Sequence, residues 1–138
     1  MGTLPSGLAD LVADEESLAR FLTSSSQFNA VTVKPSALLP SPTDRETSVF
    51  RHGVEPRAAL WAIGLEHAAG GRKLHGVAVF QAQHVRAASL EVASSEPPPR
   101  HASIVGWPWR SDDPELQKAQ HKELALVIAQ HAEVLLPQ

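Results

Sequence analysis

The sequence predicts an α+β domain: a sheet of about four or five strands packed by an N-terminal helix, a central helix and a long C-terminal helix. Three observations carry that expectation. Residues 114–136 hold apolar positions at helical spacing, residues 56–69 are bracketed by Pro56 and the pair Gly70-Gly71, and Leu74–Phe80 is apolar or small on both of its alternating sides.

Length and composition set the frame. The 138 residues suit one domain, taken as 1–138, and 43% hydrophobic with 20% charged residues lies well away from the composition of disordered chains. With 12 Lys plus Arg against 15 Asp plus Glu, no global basic field draws the chain to nucleic acid, so nucleic acid is not the expected partner. Zero cysteines exclude disulfides, thiolate metal sites and cysteine nucleophiles. No apolar run reaches the ~20 residues of a membrane span and no secretory leader is legible, so a cytoplasmic, membrane-free protein is expected.

In chain order, residues 1–5 are expected as a disordered lead. Ser6 or Asp10 then caps a helix to about Thr23, with Leu8, Leu11, Val12, Leu18, Phe21 and Leu22 at partly helical spacing; a shorter helix from Asp14 is the variant of this reading. From Asn29 to Leu39 the pattern suggests an extended edge segment, because Pro35 cannot donate to a central ladder. Pro40–Glu46 has loop composition. Thr47–Arg51 is a short strand ended by Gly53.

Pro56 opens the central helix in its first turn, and its apolar face is Leu60, Trp61, Gly64, Leu65 and Ala68. Leu74–Phe80 reads as a central strand. Residues 84–88 are a helical turn or connector, Leu90–Ala93 and His101–Val105 are further strands, and the prolines of SSEPPP favour an extended polyproline segment. Gly106-Trp107-Pro108-Trp109 is an aromatic turn. Asp112 or Asp113 caps the last helix, whose stripe of Leu116, Leu124, Val127, Ile128, Val134 and Leu135 carries it to about Leu136. His131 falls within that stripe and is expected to be buried, whereas His121 and His67 fall on helix flanks.

The chemistry-bearing candidates are the seven histidines, because tyrosine and cysteine are absent. His52, His75, His84 and His101 fall near strand ends, where separate strands can converge. No HExxH, HxH or HxxxH pair places two ligands on one local element, so no metal and no cofactor are expected. One half of a two-histidine phosphoesterase signature is present, as His101-Ala102-Ser103, without its second copy.

Val49-Phe50-Arg51-His52-Gly53, the helix to Gly70, and Gly76-Val77-Ala78-Val79-Phe80 together resemble the nicotinamide-binding core of the ADP-ribosyltransferase superfamily over about thirty residues. The resemblance implies that His52 holds a nicotinamide ribose. Phe80 stands where many members carry a tyrosine, and Glu91 and Glu96 are the candidates for the family's catalytic glutamate.

The primary expectation is a non-catalytic protein-interaction or accessory module, binding a protein partner or itself through Arg51, His52, Arg100, His101, Trp107 and Trp109. Arginine and tryptophan are the residue types enriched at interface hot spots. The alternative is a small enzyme acting on a nucleotide or other phosphate-containing ligand through His52, His75 or His101, with Arg51 and Arg100 placing the phosphate.

Overall fold

The computed structural model describes residues 2–29, 31–51, 57–68 and 73–136, the side chains of residues 57, 58, 67 and 68 excepted. Six strands form one antiparallel sheet: β1 (Ser17–Leu22), β2 (Thr47–Arg51), β3 (Gly76–Gln81), β4 (Glu91–Ser94), β5 (His101–Val105) and β6 (Glu133–Leu135). Their spatial order is β4-β5-β2-β1-β3-β6. The helices are α1 (Arg57–Ala68), α2 (Ala82–Ala87) and α3 (Pro114–Ala129). The α+β class holds, with six strands rather than four or five.

The largest departure from the expected layout is β1, which occupies the stretch read as an N-terminal helix. Leu18 and Leu22 face one side of the sheet and Ala19 and Phe21 the other, and the first three are fully buried. Strand β1 lies between β2 and β3, with α2 and α3 over one of its faces and α1 over the other, so its apolar residues alternate between two cores. Such a pattern also matches helical spacing, and long-range pairing decides between the two. Because β1 intervenes, β2 and β3 lie parallel to each other, joined through α1, and do not pair directly.

Two cores result. On one face Leu18, Leu22, Val49, Ala78, Phe80, Ala102 and Ile104 pack against Val85 of α2 and Ala125 and Ile128 of α3. On the other, Leu60 and Trp61 of α1 meet Ala19, Phe21, Val77 and Leu135. Leu65, placed on the apolar face of α1 by its spacing, is 61% exposed.

Helix α3 stops at Ala129, and Val134 and Leu135 belong to β6, so the expected helix to Leu136 is a helix plus an edge strand. Shortening the helix exchanges two histidine assignments. His121 is buried at 7% exposure, whereas His131, beyond the helix end, is exposed and stacks on His84 at 4.0 Å. The 34–39 segment is a 3₁₀ turn, Pro35–Leu38, packed on α3 rather than an edge strand. The proline-rich stretch after β4 is likewise not extended: it bends and turns to close the β4–β5 hairpin, with the His101 amide donating to the Pro98 carbonyl at 3.1 Å.

Residues 2–16 run across the end of the sheet as a strap. The Asp10 amide donates to the Gly2 carbonyl at 3.1 Å, and Arg51 and Arg86 hold the strap from beneath and beside it through Glu16 and Asp14. No helix among the described residues is long and apolar enough to cross a membrane.

Candidate functional site

Strand β5 separates the expected binding residues into two groups. His101 begins the strand and Val105 ends it, about 13 Å away at ~3.3 Å per residue. Arg51, Arg100 and His101 therefore gather at one end of the sheet, and Trp107 and Trp109 at the other. His52 lies outside the described residues. His75 sits beside Leu22 at the tryptophan end, three strands across from β5, so His75 and His101 do not converge.

At the first end, Arg51 is a structural cation. It is 2% exposed, its Nε and Nη2 donate to the two Glu16 carboxylate oxygens at 2.5 and 2.6 Å, and Nη1 donates to the Ala9 carbonyl at 2.6 Å and Ser94 Oγ at 3.0 Å. A guanidinium so engaged does not face a partner or a phosphate, which corrects its expected place on the surface. Arg100 has left-handed backbone, φ 70°, and its amide donates to Glu96 at 3.1 Å. The Glu96 carboxyl is held below the usual range first by the Ser6 hydroxyl, which donates at 2.5 Å.

His101 lies on the side of the β2–β5–β4 half of the sheet opposite α2 and α3. Its Nε2 is 2.5 Å from Ser48 Oγ and its Nδ1 is 2.5 Å from Ser95 Oγ, with Ser103 Oγ 3.2 Å beyond. Phe50 meets the imidazole edge-on at 5.2 Å. Among the described residues, no group of three or more His, Cys, Asp or Glu side chains is arranged to hold a metal ion. Of the groups assigned by the ADP-ribosyltransferase resemblance, His52 lies outside the described residues and the others are otherwise engaged: Phe80 is 3% exposed in the core, Glu91 pairs with Arg86 and Glu96 holds Ser6.

At the second end the aromatic turn builds a groove. Gly106 takes φ 94°, a left-handed conformation that turns the chain out of β5. Trp107 swings inward to 4% exposure and its Nε1 donates to the Ile104 carbonyl at 3.2 Å. Trp107 is therefore a core residue rather than a partner contact. His121 of α3 fixes the turn: its Nε2 donates to the Pro108 carbonyl at 2.5 Å, and its ring lies edge-on to Trp107 at 5.6 Å and Trp109 at 5.0 Å. A carbonyl only accepts, so the proton is on Nε2.

Trp109 is left half-buried, with the Arg45 guanidinium 4.8 Å above one ring face. Beside it opens a groove of about 600 Å³, walled by Trp109, Pro35, Leu39, Pro40 and Pro42 with His121 also in its lining. That volume is within the usual range of ligand sites, ~300–1,000 Å³. The walls are mainly apolar, and three exposed lysines stand in the lining: Lys34 before the 3₁₀ turn, and Lys118 and Lys122 on α3. None of the three makes an ion pair among the described residues. A smaller hollow of about 280 Å³ on Arg45, Arg110, Ser111 and Pro114 shares Trp109 and Gln117 with the groove, so the indole is a ridge between the two.

Of the groove, only Trp109 was among the residues singled out by sequence. The 34–42 wall, KPSALLPSP, spans the expected edge segment and the start of the expected loop, and the Ala37-Leu38-Leu39 run between its prolines is the signal that it packs rather than dangles. The Lys118 and Lys122 pair at i, i+4 is a second signal, legible once α3 is placed. Compared with protein-family models, curated proteins and solved structures, the chain matches none.

Proposed function

We propose that this chain is a non-catalytic interaction module that docks a segment of a protein partner in the groove beside Trp109. The observation that supports it most is the groove's composition: a mainly apolar concavity against a half-buried tryptophan packed edge-on by His121, ringed by exposed cations. Tryptophan at the edge of a desolvated pocket is a recurrent binding anchor, and a surrounding polar rim excludes water. The walls come from the 3₁₀ segment and α3, two elements packed on each other, so the site is preformed.

The test is selection of random peptides displayed on phage against the immobilised full-length chain, followed by amide and indole NMR of the labelled protein. Enriched peptides are expected to shift the Trp109 indole N–H and the Gln117 and Lys118 amides. Failure to enrich any peptide, or shifts confined to the His101 end, overturns the assignment.

A second reading, an enzyme acting on a phosphate ester, is supported by the hydroxyl on each nitrogen of His101. With Nδ1–H donating to Ser95, Nε2 accepts from Ser48, the relation of a general base to a hydroxyl. It calls for turnover of an aryl phosphate ester that disappears in His101→Ala. No turnover in the parent protein sinks this reading.

A further inference from the structure

We infer that the segment bound beside Trp109 is acidic: an apolar anchor flanked by carboxylates, with the anchor in the groove and the carboxylates on Lys34, Lys118 and Lys122. This rests on the docking reading above and adds the chemistry of the partner.

The charge distribution carries it. The chain is acidic overall, at −3, yet the groove lining contains Lys34, Lys118 and Lys122 and no carboxylate. The neighbouring hollow adds Arg45 and Arg110, so five cations surround one indole; the described acid paired with them is Asp112, 3.7 Å from Arg110. Lys118 and Lys122 are one helical turn apart on the same face of α3. Like charges at that spacing repel and weaken a helix. Glu115 lies three residues before Lys118, but the positions three and four residues from Lys122 are Lys118, Ala119, Ala125 and Leu126, so no acid at helical spacing offsets Lys122. Lys34 faces them across the groove, and its separate origin places positive charge on both walls. A ligand with carboxylates on either side of its anchor meets both.

The shape favours a peptide over other polyanions. Arg45 covers one face of Trp109, leaving less of the indole for base stacking. A lipid bilayer would need the apolar surface to protrude, whereas here it is recessed behind the lysines.

The experiment uses the full chain and the peptides enriched in the selection, synthesised as found, with Asp and Glu replaced by Asn and Gln, and with Asp and Glu replaced by Lys. The parent peptides should bind at least about tenfold more tightly than the amide versions, and the difference should shrink as salt screens the rim. Lys118→Glu/Lys122→Glu, exposed changes that leave the fold intact, should reverse the order so that Lys-bearing peptides bind best. Equal binding of acidic and amide peptides at Trp109 overturns the acidic assignment and leaves the docking site standing. Absence of any peptide binding overturns both, as does cosedimentation of the protein with anionic lipid vesicles in place of peptide binding.

Discussion

Arg51 ties the strap to β2 and Arg86 ties it to α2, and their burial sets very different values on the two. The Arg51 and Glu16 side chains are 1% and 14% exposed, so removing one partner strands the other in a dry site. Arg51→Ala should cost about 3–5 kcal/mol in urea unfolding. Arg86, at 28% exposure, bonds the far more exposed Asp14 and Glu91. Arg86→Ala should cost no more than about 1 kcal/mol. Comparable losses in the two variants would refute the burial argument. His84 gives a pH effect of known sign. Burial, then the neighbouring His131, lowers its pKa from 6.5, so the folded chain resists a proton that the unfolded chain accepts. Its contribution to stability is therefore present above about pH 6.5 and falls away below it. The melting temperature should drop between pH 7.5 and 5.5, and the drop should be smaller in His84→Gln; identical profiles would exclude the pair as its source.

Helix α1 meets strand β1 and the residues leading into β3 at Gly64, where an added Cβ would lie 2.8 Å from the Phe21 ring and 2.9 Å from Leu74 Cδ2. Gly64→Val should destabilise by roughly 1–3 kcal/mol through overpacking, read as a lower urea midpoint; an unchanged midpoint would mean that α1 can lift from the sheet without cost. That closeness explains what was legible in the sequence. β2, β3, β4 and β5 are legible as short strands, and Asp112 or Asp113 marks the start of α3, where the Asp113 side chain accepts from the Leu116 amide at 3.1 Å. β1 is not legible, because Leu18 and Leu22 are buried on one side, Ala19 is buried and Phe21 partly buried on the other, and a two-sided apolar run fits either periodicity. The end of α3 was missed for the converse reason: Val134 and Leu135 continue the helical stripe in register while pairing with Ala78 and Val77. The groove combines wall residues from 34–42 with α3 residues some eighty positions later, and only the tertiary contact between those elements makes it visible. Its strand-end position makes His101 a candidate, but its bond to Ser48 depends on the antiparallel register of β2 with β5 and its bond to Ser95 on the β4–β5 hairpin.

Taken as a whole, the molecule is a central ladder fastened at one end by a strap. Strand β1 is paired on both sides, to β2 through Leu18 and Ala19 and to β3 along its full length, so its amides should open only with global unfolding. The strap has far fewer bonds of its own, yet its carbonyls cap the start of α2: the Ala82 amide donates to the Glu16 carbonyl at 3.0 Å and the Gln83 amide to Asp14 at 2.8 Å. Glu16 thus bonds Arg51 through its side chain and α2 through its backbone, which couples the buried ion pair to the helix start. Native-state hydrogen exchange should show β1 and β3 amides slowest and the Asp10 amide much faster. In Arg51→Ala, exchange at Ala82 and Gln83 should accelerate by more than the global loss of stability accounts for, because the strap opens before the sheet does. If those two amides instead track β1 in the variant, the strap and the sheet unfold as one unit and Arg51 acts on the whole fold rather than on its edge.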